Sequence, residues 1–244
     1  EQVVPYDPEE LLAYEVGVKS MLAGQRVRFN AAAFYYDYRD LQVSVLLDTA
    51  IGGQIFNAGK ATIWGLEAET TIKLSDNDHF NASVNYLNAE YKELFAQFNV
   101  FCVGCGLNGV GDLDPNKAGI QQPNFAGNRP PFSPKFVITV GYDHRFDLGG
   151  AGSLTARADT TFKSAYFTDF YNYRDGEQKA LTQTNLSLEY APVNEKFSVS
   201  AFVRNIENTR PLTYGSFVSA GPDDIFNWQF GAPRTYGVRL SVDF

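Results

Sequence analysis

Apolar and polar residues alternate one by one along most of this chain. The terminal stretch shows it most cleanly: Tyr236, Val238, Leu240, Val242 and Phe244 take one side, and Thr235, Gly237, Arg239, Ser241 and Asp243 take the other. Side chains of a strand alternate with period two, so the pattern predicts a strand with one apolar and one polar face. Eight earlier segments repeat it. Segment one, about 11–20, sets Leu12, Tyr14, Val16 and Val18 against Glu15, Gly17 and Lys19. Segment two begins at Arg26 and opposes Val27, Phe29, Ala31, Ala33 and Tyr35 to Arg28 and Asn30. Its end, Phe34 to Tyr38, is aromatic on both faces, which points to a bulge or a membrane boundary. Segment three, about 55–74, has Trp64, Leu66, Ala68, Ile72 and Leu74 against Gly65, Glu67, Glu69 and Lys73. Segments four (about 79–91), five (about 134–146), six (from Ser153), seven (before Pro192) and eight (around Phe197–Arg204) follow the same rule.

The connections alternate as well. Ala23–Gln25, Ser75–Asp78, Asp147–Gly152 and Pro192–Asn194 are short and rich in turn formers. Between them lie longer loops near 48–53, 92–133, 170–178 and 209–232. A soluble sandwich has no reason to keep this two-stroke rhythm, whereas outer-membrane barrels place short turns on the periplasmic rim and longer loops outside. No window sustains the three-and-four spacing of a helix. The predicted fold class is therefore all-β, an antiparallel transmembrane β-barrel of about nine strands. Nine is an odd count and leaves two open edges, which lipid cannot satisfy, so the chain reads as part of a larger barrel.

Composition agrees. Phe 20, Tyr 14, Gly 21 and Pro 11 favour strands and turns. No apolar run approaches the roughly 18 residues of a membrane helix, which says nothing against a barrel. A net charge of −8, with no basic cluster, argues against a nucleic-acid surface. The start, EQVVPYDPEE, lacks the basic and apolar regions of a signal peptide, so a mature chain, a cytosolic chain or a piece of something longer is expected.

Four stretches carry a resemblance: PEELLAYEVGVKSML (8–22), FNAAAFYYDYRDLQV (29–43), FNAGKATIWGLEAE (56–69) and FSVSAFVRNIENTR (197–210), with the closing GVRLSVDF. In order and spacing the chain resembles the C-terminal barrel half of a TonB-dependent outer-membrane receptor over essentially all its residues. These are 22-stranded barrels with a plugged lumen, so the resemblance implies residues 1–244 as the C-terminal portion, with roughly 13 strands (22 − 9) and the plug domain outside it. It implies active uptake of a scarce ligand across the outer membrane of a Gram-negative-type bacterium. The ligand would be a ferric siderophore, haem, cobalamin or a saccharide, and the TonB–ExbB–ExbD complex would supply energy through the missing N-terminal part. The implied partners are the other strands and plug, outer-membrane lipid and the small-molecule ligand. It also implies that Phe244 serves as a C-terminal assembly signal. The rival expectations are a passive or split porin-like barrel, and a soluble extracellular β-protein that binds sugar or calcium.

Candidate chemistry is sparse. Cys102 and Cys105 form CVGC in the longest loop. A redox pair would want a helix N-terminus and zinc would want more ligands, while His79 and His144 sit on other segments. In an oxidising outside loop, a small disulfide is the expectation. Asp112, Asp114 and Asn116 mimic the start of a calcium loop, but Lys117 and Pro123 occupy the positions needing Gly and the closing acid, which excludes an EF-hand. The inward charges Glu67, Glu69, Lys73, Asp143, Arg145, Arg157, Asp159, Arg204 and Arg239 are expected to pair across the wall or to meet a plug or water. No nucleophile–base set, cofactor motif or metal cluster stands out, so no enzyme is expected. The loop aromatics Phe95, Phe98, Phe101, Phe125, Phe132, Phe217, Phe226 and Trp228 either hold a ligand, pack the loops or join the outer girdle.

Overall fold

The computed structural model describes residues 6–46, 53–96, 98–100, 114, 117, 119–194, 196–220 and 223–242. Fifteen strands lie in these segments: β1 (Glu10–Leu22), β2 (Val27–Leu46), β3 (Gly53–Lys73), β4 (Asp78–Leu94), β5 (Phe98–Val100), β6 (Gly119–Gln121), β7 (Phe136–Asp147), β8 (Ser153–Lys163), β9 (Tyr166–Phe167), β10 (Glu177–Gln178), β11 (Leu181–Ala191), β12 (Phe197–Arg204), β13 (Leu212–Ala220), β14 (Asp223–Phe230) and β15 (Thr235–Val242). Nine of them form one antiparallel meander in the order β1-β2-β3-β4-β7-β8-β11-β12-β15. These are the nine segments the alternation predicts. The other six pair off as β5–β6, β9–β10 and β13–β14 inside the long connections, which the sequence had read as loops.

The register turns nine separate apolar stripes into one face. Leu22, Val27, Ile72, Phe80, Tyr142, Ala158, Leu186, Val203 and Tyr236 stand opposite one another from the first strand to the last. On the other face, Lys19, Asn30, Glu69, Ser83, Thr139, Thr161 and Gln183 form a matching polar row. A one-residue slip at any turn would move every later side chain to the wrong face, so the short turns carry the register. In the β1–β2 turn, Ala23, Gly24 and Gln25 all adopt positive φ. That mirror-image backbone matches the right-handed twist of the strands it joins.

β2 and β3 run 20 and 21 residues, far beyond the roughly 9–11 that a tilted strand needs to cross a bilayer. Their long-loop halves therefore stand above the membrane. The register slips between Tyr38 and Leu41, at Asp40 with positive φ, just past the doubly aromatic stretch where a bulge was expected. Residues 6–9 strap this bulge: Glu9 accepts hydrogen bonds from the Tyr38 hydroxyl at 2.6 Å and the Gln42 N–H at 2.6 Å. Asn57 meets the Asp7 N–H and the Asp7 and Asp40 carbonyls.

A wall one residue thick has no interior of its own. The buried cluster, Ala61, Tyr91, Leu94, Ala96, Phe125 and Tyr173, lies at the long-loop end, where connections fold back onto the sheet. Rings also lie flat along the polar face. The Phe34 ring crosses Gly65 so closely that a Cβ there would sit 2.6 Å from its Cζ, and Phe202 covers Gly237 in the same way. A bare backbone at these positions lets an aromatic side chain hug the wall and keeps the space beyond it open.

Candidate functional site

Two regions bear chemistry: the polar face of the wall and a cap of three long connections above it. The charges of the polar face were expected to pair across the wall or to meet a plug or water. Across the wall, Glu67, Glu69 and Asp159 meet amides and Asp143 meets an imidazole. Asn30 donates to Glu69 at 2.6 Å, Asn85 to Glu67 at 2.8 Å and Asn185 to Asp159 at 2.7 Å, while His79 Nδ1 lies 3.2 Å from Asp143. The register explains this, since Asn30 stands opposite Glu69, Glu67 opposite Asn85 and Asn185 opposite Asp159. Lys73 turns to Asp76 in the adjacent turn. Arg204 lies over the Phe202 ring, and Arg145, Arg157 and Arg239 point from exposed positions on the same face. Amides satisfy these carboxylates without neutralising them, so the wall keeps net charges available to whatever fills the space beside it.

The cap begins where β4 ends. Residues 124–128 return along its outer end: Phe125 N–H donates to the Leu94 carbonyl, Gly127 N–H to Tyr91 O and Tyr91 N–H to Asn128 O. Asn124 Oδ1 receives the N–H groups of Leu94 and Ala126. This places Phe125 against Leu94, and both side chains are fully buried. The next long connection then clasps this one. Asn128 Nδ2 donates to the Phe170 and Tyr171 carbonyls, Arg129 N–H to Asn172 Oδ1 at 2.8 Å, and Asn172 Nδ2 back to Arg129 O at 2.9 Å. Asn172 reaches this position with a positive φ, which Asn tolerates better than most residues. The Arg129 guanidinium donates to Ala165 O and lies 5.1 Å over the Phe167 ring. Its partial burial lowers its pKa, a shift that Glu177 opposes.

A third connection joins from the other side. Asn205 is its anchor: its N–H donates to Asn185 Oδ1, its amide donates to Thr209 O and Ala232 O, and its Oδ1 accepts from Thr209. Glu207 takes the Thr184 hydroxyl and N–H, which hold its carboxyl below the ordinary range. The β13–β14 hairpin then packs on residues 164–180. Tyr166 OH donates to Leu212 O, Thr168 Oγ1 to Gly176 O and Gly215 O, and Trp228 Nε1 to Asp175 O. Ring contacts run without a break from Phe125 through Tyr171, Tyr173 and Phe226 to Trp228, with centroid spacings of 5.1–5.9 Å, and Phe170 lies 4.1 Å from Tyr171 beside this path.

Of the loop aromatics singled out from sequence, Phe125 and Phe226 thus pack the cap, while Phe95, Phe132 and Trp228 keep broad exposed surface. Phe101 lies outside the described residues, and Phe98 and Phe217 are described only as strand backbone. Tyr91, Leu94, Phe170, Tyr171 and Tyr173 were missed. Asp169, also missed, has both carboxylate oxygens buried. Burial pushes its pKa up to about 6, against the N–H groups of Tyr173, Asn172 and Tyr171, which pull it down. Burial, and then the Asp169 charge, raise Tyr171.

Cys102, Cys105, Asp112 and Phe244 lie outside the described residues. Around the former calcium-like stretch, Gln121 holds the turn with its side-chain amide, bonding Asp114 N–H, Asp114 O and Lys117 O. Among the described residues no group of three or more His, Cys, Asp or Glu could hold a metal ion.

A family model described as "TonB dependent receptor-like, beta-barrel" matches residues 2–206. No curated protein matches the chain by sequence. Among solved structures, the ferric yersiniabactin uptake receptor FyuA from Yersinia pestis is similar at TM-score 0.72 and 22% identity, over 100% of this chain and 32% of that one. The siderophore receptor PiuA from Acinetobacter baumannii gives 0.67 and 18%, over 96% and 28%. The ferric citrate transporter FecA gives 0.64 and 21%, over 97% and 32%. This chain spans about a third of the length of the structures it resembles.

Proposed function

The chain belongs to the TonB-dependent receptor β-barrel family of the Gram-negative outer membrane, and on that premise we propose that it is the C-terminal wall and outer cap of an active-uptake receptor for a metal chelate, a ferric siderophore first. Members of this family are transporters, not enzymes. The observation that carries the reading is the asymmetry of the nine-strand sheet. One face is apolar through all nine strands, the other is polar and amide-lined, and the long connections close over one end as an aromatic cap. A wall of this kind suits a barrel with lipid outside and a filled lumen inside, since carboxylates held by amides remain charged for a partner.

In this reading the remaining strands and a plug domain are supplied by sequence outside residues 1–244. Energy comes from the TonB–ExbB–ExbD complex acting on that missing part. The exposed Phe95, Phe132 and Trp228 are where an incoming ligand first meets the cap. Cys102 and Cys105 close a small disulfide in the longest connection, and Phe244 serves assembly. Haem, cobalamin and saccharides are the other ligand classes open to a receptor of this family.

The test is uptake by cells carrying the full-length receptor. Radiolabelled ferric siderophores, supplied one at a time under iron limitation, should enter at a rate that disappears when TonB is deleted. Entry that persists without TonB, or ion conductance from the purified protein in planar bilayers, would favour a passive barrel instead.

A further inference from the structure

The cap holds one buried carboxylate for which the transport reading has no use. Asp169 sits between the two clasps: Thr168, before it, bonds Gly215 of the β13–β14 hairpin, and Asn172, after it, bonds Arg129 of the 124–134 connection. A Cβ on Gly176 would lie 2.6 Å from Asp169 Oδ2 and 3.2 Å from Phe226 Cζ, so the carboxylate is wedged where its own connection folds against the hairpin. We propose that Asp169 is a proton-sensitive latch: the three-connection cap opens more readily when this carboxylate is ionised than when it carries a proton.

Few neighbouring groups compete for the role. On its own connection stand Tyr171, Tyr173, Arg174, Asp175 and Glu177. The 124–134 connection supplies Arg129, which is turned to Ala165 O and the Phe167 ring. β4 supplies Tyr91 to the same buried cluster. The hairpin brings Gly215 to Thr168 and Phe226 to Gly176 beside the carboxylate, and neither Gly215 nor Phe226 titrates. Among the described residues no cation forms an ion pair with Asp169. The tyrosines and arginines change charge far above neutral pH.

Burial raises the carboxyl pKa of the closed cap to about 6, against 3.8 for an ordinary aspartate. The proton's contribution to closure is therefore complete below 3.8 and is lost as pH rises through about 6. If the opened cap returns Asp169 to ordinary solvation, the opening constant rises roughly tenfold between pH 5 and 7.5. Glu207 and Glu9, whose pKa values are lowered, act in the opposite sense but at more acid pH.

The measurement is hydrogen exchange of the 165–180 segment in the full-length receptor at about pH 5 and 7.5, each rate divided by the intrinsic exchange rate at that pH. The wild type should show the roughly tenfold rise in opening. Asp169→Asn, isosteric and uncharged, should abolish it. Asn172→Gly, which removes a clasp but suits the positive φ, should raise opening at both pH values and keep their ratio. A wild-type opening constant that changes less than about twofold overturns the latch whether or not Asp169→Asn assembles. So does a tenfold rise that survives in Asp169→Asn. Neither outcome touches the uptake reading, which is measured separately.

Discussion

An arginine placed at Leu186 tests the membrane assignment most directly, because the structure fixes its depth. β11 runs Leu181–Ala191, so Leu186 stands five residues from either end. At about 3.3 Å per residue and a tilt near 40°, that is about 12 Å from each rim, the middle of an apolar band about 25 Å tall. Its neighbours in the same row are Ala158 and Val203, neither of which can pair a guanidinium. Leu186→Arg should therefore cost ~2–4 kcal/mol, a fall of roughly 30- to 1000-fold in the folded-to-unfolded ratio. Tyr190→Arg, one residue from the strand end, should cost only ~0–1 kcal/mol. Ser187→Arg sits at nearly the same depth as Leu186 but on the polar face, opposite Arg157 and Phe202. Mild repulsion in a wet lumen should keep it near or below about 1 kcal/mol. The assay is a denaturant titration of the full-length receptor refolding into lipid vesicles, followed by heat-modifiable mobility. Equal costs at 186 and 187, or a flat profile from 186 to 190, would refute the lipid-facing assignment.

Other predictions rest on single contacts. Gly65→Val puts a Cβ 2.3 Å from the Tyr86 carbonyl oxygen and 2.6 Å from the Phe34 ring. Backbone cannot yield as a side chain can, so it should destabilise the wall by ~1–3 kcal/mol in the same titration. Asn205→Ala removes a buried amide that makes bonds to Thr209 and Ala232 and leaves a non-glycine residue at φ 57. It should cost ~2–4 kcal/mol of local stability, read as faster hydrogen exchange over 205–211 without loss of the barrel. Cys102 and Cys105 should resist a membrane-impermeant maleimide on intact cells until a reductant is added; labelling without reductant would remove the disulfide from the account.

The wall was legible in the sequence because both its signals are local. Period-two alternation and turn chemistry need no knowledge of distant contacts, and together they fix the faces and the phase of the loops. Lumen pairing was less legible, although register held the answer. Once the Ser75–Asp78 turn is known to bring Glu67 opposite Asn85, an amide partner follows, but counting charges alone left ion pairs, a plug and water all open. The cap was illegible for a different reason. Its aromatics come from connections more than 40 residues apart, and Asn128 meets Phe170 only through the tertiary fold. The run Phe167–Tyr173 did contain a signal: four aromatics in seven residues is costly for a solvated loop, and an aspartate inside such a run is exposed to burial.

The separation of wall from cap also bears on how such a structure can move. In most folds a connection that opens strips contacts from a shared core. Here most of the sheet has no core to share, because its stability comes from backbone ladders with lipid on one side and polar contents on the other. The buried cluster is shared between the two: Ala96, Phe125 and Tyr173 come from the connections, and Ala61, Tyr91 and Leu94 from the outer ends of β3 and β4. Opening the cap exposes aromatic surface and breaks both the side-chain clasps and the backbone bonds that hold residues 125–128 to the end of β4. The connections can then be tuned by a single buried group, such as Asp169, by the roughly tenfold change in opening proposed above without endangering the barrel. The same division explains why the strap of residues 6–9 and the Asp40 bulge lie above the bilayer. The strap ties residues 6–9 to the tall β2–β3 ladder at the end where the connections pack, through Glu9 to Tyr38 and Gln42.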